Sequence, residues 1–413
     1  MLNAFLSLFQ TDLARKIFSS VVTTAPIWVT LLFIFIYFET WMTWRQRKWI
    51  KDQGKFLLEI KLPREMLKSP QAMEIFLTGL YNVQVGSLVA VFWKGAVRFS
   101  YSLEIVSIDG QVHFYIYCDK NYRLRIETQL YAQFPGIEVH EVPDYTLNVV
   151  RDPSKRTIGW IGQLEYVKSS AYPIKTYVDY GLDKDPKEEF KNDPLVPLLE
   201  FLGSLKKGEQ AWVQIIIRGH TKESLKYGRI FTRPDWKDEI EREIKDVLKK
   251  ARFKTEDERA PSGMHLSEGQ KDLVSAIERT SGKAAFDTMI RVAYIADNEV
   301  YNPTSNIGGL IGSIVQFGAN NRNGFKPGHK ADYDYVWQDP FGKKRAENEE
   351  KLLEAYKRRA FFYPPFKNFH GKPFVMTTEE LATMFHFPGE TATTPTLARL
   401  PSKKGQAPTN LPI

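Results

Sequence analysis

Hydrophobic and polar positions divide this chain into three differently patterned parts. The first is a block near its start: from Ile17 to Phe38 no side chain is charged, and residues 22–38 read VTTAPIWVTLLFIFIYF. At about 1.5 Å per residue, ~20 helical residues cross a hydrocarbon layer about 30 Å thick, so the pattern predicts a spanning helix. Trp28, Leu31, Leu32, Phe33, Phe35 and Tyr37 are the candidate anchor residues, and Trp41 and Trp44 continue the aromatics into an interfacial belt. Pro26 is compatible with a span. No small-x-small cleavage site follows at 39–42, which argues against a removable signal. Arg45, Arg47, Lys48, Lys51 and Lys55 follow the block, against Arg15 and Lys16 before it. That asymmetry predicts a cytoplasmic location for the bulk of the chain. Leu2, Phe5, Leu6, Phe9 and Leu13 recur at helical spacing and extend the helix or lie in the interface.

In the second part the period alternates between that of strands and that of helices. KFLLEIKLP predicts a strand, and Ser69-Pro70 opens a helix with Met73, Phe76, Leu77 and Leu80 on one face. Two alternating runs then flank Asp109-Gly110, a hairpin signal because both turn positions tolerate positive φ. A helix over about 120–133 and a strand GIEVHEV close the order β-α-β-β-α-β. YPIKTYVDY, DPLVPLLEFLGSLKKG, EQAWVQIIIRG, AAFDTMIRVAYIAD and a helix over about 304–317 predict a second such unit. Its two inner strands are separated by two amphipathic helices, with Ile240, Ile244, Val247 and Leu248 on one and Leu266, Leu273 and Ile277 on the other. The predicted class is therefore α+β: an N-terminal transmembrane helix and two ferredoxin-like (βαββαβ) domains, the second with a helical-hairpin insertion.

The third part has a charged helix, GKKRAENEEKLLEAYKRRAFF, a breaker YPPF, and a short helix in TTEELATMFHFPG with a capping box at Thr377 and Glu380. A proline-rich tail without apolar periodicity ends it. The predicted divisions are 1–54, anchor; 55–145, first ferredoxin-like domain; 146–330, second, with its insertion at about 235–282; and 331–413, C-terminal helices and tail.

Composition changes this picture little. The 413 residues carry a net charge of +8, which favours anionic neighbours without choosing between lipid and nucleic acid. Cys118 is the single cysteine, so no intrachain disulfide forms; its apolar surroundings mark a small buried hydrophobe. ERTSGKAAF lacks the first glycine and the Ser/Thr of a phosphate-binding loop, so Gly282 reads as a helix cap. IGGLIGSI reads as a close-packing helix face. The seven histidines show no ligand spacing, and no Gly-x-Ser-x-Gly occurs. The expectation is a non-enzyme with no catalytic residue, cofactor or metal. In QVHFYIYCD the alternation sends Phe114 and Ile116 to the core and Tyr115 and Tyr117 to the opposite sheet face. The run does not match the pattern of RNA-recognition sheets, and packing on that face accounts for the two tyrosines at least as well; a membrane-tethered nucleic-acid binder is the alternative reading.

DPLVPLLEFLGSLKKGEQAWVQIIIRG, LSEGQKDLVSAIERTSGKAAFDTMIRVAYIA and TTEELATMFHFPG, followed by TPTLARLPSKKGQAPTNLPI, resemble the membrane-anchored region before the motor in conjugation and type IV secretion-type ATPases of the FtsK/HerA class. The resemblance covers roughly residues 150–413. No Walker loop is present, so ATP hydrolysis does not carry over and no family catalytic residue maps onto this sequence. What it implies is a scaffold of the bacterial inner membrane, single-pass, that docks a separate ATPase or other secretion components; self-association stays open. Candidate docking residues are Leu381, Phe385 and Phe387 for apolar contact and Arg399, Lys403 and Lys404 for charge.

Overall fold

The computed structural model describes residues 12–63, 68–149, 154–183, 192–224, 227, 235–255, 266–333 and 335–389. The chain separates into two compact units, residues 1–52 with 86–97, and residues 53–85 with 98–413.

In the first unit, helix α1 (Asp12–Asp52) runs unbroken through Pro26. It is long and apolar enough to cross a membrane, and none of its most apolar stretch is buried. The inserted segment 86–97 forms a single wide turn at Ala90–Lys94 and packs beside α1.

The second unit is built on one sheet in which every adjacent pair of strands is antiparallel. Its elements are β1 (Lys55–Lys61), α2 (Pro70–Leu80), β2 (Ser100–Ile108), β3 (Gln111–Asp119), α3 (Arg123–Gln133) and β4 (Glu138–Val142), then β5 (Arg156–Tyr166), α4 (Val196–Gly203), β6 (Glu209–Gly219), α5 (Trp236–Thr255), α6 (Glu268–Ser281), β7 (Ala285–Asp297), α7 (Pro303–Val315) and β8 (Phe325–Lys330), and finally α8 (Lys343–Lys357), β9 (Phe374–Thr377) and α9 (Thr378–Met384). The strand order is β4-β1-β3-β2-β6-β7-β5-β8, with β9 on β7. The second half therefore repeats the connectivity of the first in mirror order, and β2 and β6 join them, from Ser100 opposite Arg218 to Ile108 opposite Gln210.

Local chemistry explains the elements. Asp109 (φ 55°) and Gly110 (φ 81°) supply the two left-handed positions that the β2–β3 hairpin needs. Ser267 and Gln270 close a capping box on α6, as Thr377 and Glu380 do on α9. Gly309 lets α7 approach α4, since a Cβ there would sit 2.6 Å from the Phe201 ring. Gly282 does cap α6.

Both faces of the sheet are covered. On one, α2, α3, α4, α7 and α9 bury Phe76, Leu103, Phe114, Ile116, Leu199, Ile215, Ile290 and Leu310. On the other, Tyr115 and Trp212 pack against Leu352 and Tyr356 of α8. For Tyr115 and Tyr117 the sequence reading weighs packing on this face against base stacking, and packing is what the structure has. Tyr115 is buried under Tyr145, and the Arg359 guanidinium lies 4.4 Å from the Tyr117 ring.

A transverse polar row explains that cover. Glu104, Gln214, Arg291 and Gln163 stand in register across β2, β6, β7 and β5. Such groups need partners once buried, and the last turn of α8 and the chain after it supply them. Arg359 donates to Glu104 at 2.9 and 3.0 Å and Gln214 to the Tyr356 carbonyl at 3.2 Å. Arg291 donates to the carbonyls of Ala355 (2.9 Å) and Ala360 (2.7 Å), and Gln163 to that of Phe369 at 2.9 Å.

Candidate functional site

The first candidate is α1 itself. Backbone hydrogen bonding within a helix leaves only side chains to meet the surroundings, which is what a lipid environment requires. Trp28, Leu31, Leu32, Phe33, Phe35 and Tyr37 are all exposed, Phe33 and Tyr37 by about two-thirds (66% and 67%). Just past them the Trp41 and Trp44 rings meet at a tilt, 5.6 Å apart, and the Arg45 guanidinium lies over both rings at 5.5 and 5.6 Å. Lys48 adds a second cation over Trp44 at 5.8 Å. With Arg47 and Lys51 this is a basic aromatic collar at one end of an apolar cylinder. It suits a boundary where hydrocarbon meets anionic headgroups.

The second candidate is a cleft of about 380 Å³ in the second unit, where β6, β7, β9 and α5 converge. Its centre is His220, one residue past β6. The ring's Nδ1 lies 2.6 Å from Asp287 Oδ1 on β7, and its Nε2 lies 2.8 Å from Asp235 Oδ1 at the start of α5. Asp287 also accepts from Arg218 at 3.0 and 2.5 Å, and Arg98 stands 3.4 Å away. Burial works against charge on His220, but the bonds to Asp287 and Asp235 outweigh it and hold the imidazole above its usual 6.5. Burial would raise the Asp287 carboxyl; Arg218, His220 and Arg98 together hold it well below the ordinary carboxylate range. With a carboxylate oxygen at each nitrogen, the ring is engaged on both sides, and these contacts favour its charged form. Chemically it is a clasp that ties α5 to the sheet. Sequence reading missed it because its members lie 15 and 67 residues apart with no motif spacing.

The predicted docking set divides. Leu381, Phe385 and Phe387 are 0%, 0% and 2% exposed. Phe385 and Phe387 meet Phe114 edge-on, Phe387 also meets Phe134, and α9 packs on α2. The expectation that these three contact a partner is corrected: they fill this chain's own core. Arg399, Lys403 and Lys404 lie outside the described residues.

Cys118 is fully buried, with its thiol pushed up to about 12 by that burial. Among the described residues no three His, Cys, Asp or Glu side chains converge as metal ligands would. Exposed aromatics do occur between β8 and α8: Tyr335 and Trp337 stack at 4.5 Å, and Phe341 is 86% exposed.

Compared with known families, residues 40–399 match the family model of a domain of unknown function, DUF8128. No curated protein matches the chain.

Proposed function

The chain belongs to the DUF8128 family, and we propose for it the role of a single-pass, membrane-anchored, non-catalytic scaffold. In this reading α1 crosses the bacterial inner membrane and the second unit works on the cytoplasmic side. One observation carries the proposal. The apolar helix turns its large side chains outward, and its collar is packed by residues 86–97, which come from the interior of the chain. A signal peptide removed after export has no such later segment built onto it, so the packing favours a retained anchor.

We read each half of the sheet as a ferredoxin-like unit, since β4-β1-β3-β2 and its mirror β8-β5-β7-β6 give the strand order that a split βαβ pair produces. The insertion α5–α6 enters the second between its inner strands, β6 and β7. A scaffold role accords with the cleft, whose histidine has both nitrogens engaged. Following the resemblance of residues 150–413, the partner class is a separate FtsK/HerA-type ATPase or another component of a conjugation, type IV secretion or pilus apparatus. Docking then involves Arg399, Lys403 and Lys404 rather than the buried Leu381, Phe385 and Phe387.

Affinity purification from detergent-solubilised cells tests this. A co-purifying phosphate-binding-loop ATPase, lost when Arg399, Lys403 and Lys404 become Glu, is the expected result. Recovery of the chain with no ATPase or secretion component would overturn it.

A second reading, tethered nucleic-acid binding, is favoured by the exposed Tyr335, Trp337 and Phe341 beside Lys343 and Lys344. Aromatic faces next to cations stack bases of single strands. This reading expects binding of single-stranded DNA that falls steeply with salt and weakens in Trp337→Ala. No binding at low salt removes it.

A further inference from the structure

The segment 86–97 reads GSLVAVFWKGAV, eight apolar residues in twelve with one charge, Lys94. An excursion of this composition from a folded unit ordinarily buries its large side chains. Here Val91 is buried, yet Leu88, Val89 and Trp93 are 50%, 64% and 66% exposed. Their place along α1 is fixed by direct contacts. The Phe92 ring lies 6.0 Å from Phe38, the last residue of the uncharged run, and the Trp93 ring 6.0 Å from Trp41. Arg45 Nε donates to the Trp93 carbonyl at 2.5 Å. Gly95 (φ +78°) makes the approach feasible, because a Cβ there would fall 2.4 Å from the Arg45 carbonyl carbon. The exposed trio is therefore level with the Trp41–Arg45 collar, where the apolar cylinder gives way to charge.

We propose that residues 86–97 are a second, shallow membrane contact, in which Leu88, Val89 and Trp93 insert among the acyl chains and headgroups of the cytoplasmic leaflet beside the spanning helix. The proposal rests on the reading of α1 as a span. Lipid is the occupant because the exposed surface is continuous with the lipid-facing side of α1 at the same depth. The residue types also match that boundary: a Trp with a polar edge, aliphatics, and Lys94, whose stem reaches back to headgroups. The anchor is thus a helix plus a wedge.

The test uses full-length protein reconstituted in vesicles of phosphatidylethanolamine and phosphatidylglycerol. Cys118 is buried, so Val89→Cys accepts an environment-sensitive thiol fluorophore selectively, and Lys271→Cys, at an exposed position of α6, serves as the water-facing control. The expected result is a blue-shifted label at 89, quenched by spin-labelled acyl chains and several-fold less by aqueous iodide than the label at 271. Gly95→Val should restore iodide quenching at 89 while the protein still floats with the vesicles after a carbonate wash. A label at 89 open to iodide in a protein that floats overturns the wedge alone. A label shielded from iodide but indifferent to lipid quenchers means that protein covers the patch, and also overturns it. Loss of flotation overturns the span reading and the wedge with it.

Discussion

Two apolar stretches of this chain reach opposite environments. In α1, Leu31 and Phe33 are 60% and 66% exposed; in the stretch 374–387, Leu381 and Phe385 are wholly buried. The difference is not one of hydrophobicity. α1 carries more than twenty residues without a charge and makes its own backbone hydrogen bonds, so it needs nothing polar from outside. The later stretch interleaves its apolar side chains with Thr377, Glu379, Glu380, Thr383 and His386, all of them buried. Each is met by a specific partner. Glu379 accepts from Thr176 at 2.5 Å and pairs with Arg279 and Lys283; Glu380 accepts from Ile174 N and Tyr166 OH; His386 Nε2 lies 3.0 Å from Asp193. Lipid cannot supply such partners, and the sheet and its helices can. The polar residues within an apolar run thus decide its surroundings.

The strongest challenge to this contrast is to charge the first stretch. Leu32→Arg with Phe35→Arg costs about 2.5–3.5 kcal/mol per residue at the centre of a span. Carbonate extraction should then release a protein that is otherwise retained. Retention of the doubly charged variant would show that α1 does not lie in hydrocarbon.

Next comes the same deletion made in both places. Phe385→Ala should lower the unfolding free energy of the second unit by about 3–5 kcal/mol, read from urea denaturation in mild detergent. Phe33→Ala should leave that midpoint within about 0.5 kcal/mol of the parent. Equal effects would erase the distinction, and an unchanged midpoint in Phe385→Ala would return that ring to the surface.

The smallest effect concerns pH. Burial opposes charge on His386, but Asp193 and the Ala382 carbonyl hold its imidazole above 6.5, and His220 is shifted the same way. Their contribution is complete below about 6.5 and fades as pH rises through the raised folded-state values. The urea midpoint should therefore decline as pH rises above about 6.5, and His386→Gln should flatten the decline. A midpoint that rises over this window contradicts the paired imidazolium.

How much of this was legible follows from which signals are local. The long apolar helix, the Asp109-Gly110 hairpin, the β-α-β-β-α-β order of the first half and the capping box at Thr377 and Glu380 come from neighbours in sequence. The second half was less legible: YPIKTYVDY, expected as a strand, forms turns, and the strands β5 and β8 were not foreseen. The partners of buried polar groups do not. Glu379 and Glu380 look like the first turn of a surface helix, yet Arg279 lies 100 residues away from Glu379, and Tyr166 214 from Glu380. The alternation in β3 sent Tyr115 to a second face correctly, but nothing local said that α8 would cover it. The His220 cleft was invisible for the same reason. The run 86–97 received no assignment from sequence, and its contacts with Phe38, Trp41 and Arg45 give it a place.

The β2–β6 pairing has one more consequence. Open strand borders are templates on which a second chain adds, and joining the two halves removes two of them from solvent. Among the described residues those that remain include β4, with Glu138, His140 and Glu141, β8, where Pro327 interrupts a lysine-bearing strand, and the four-residue β9, which pairs only with β7. Charge and proline make β4 and β8 poor hosts for an incoming strand. Copies brought close together therefore gain little from pairing strands across chains at these two borders.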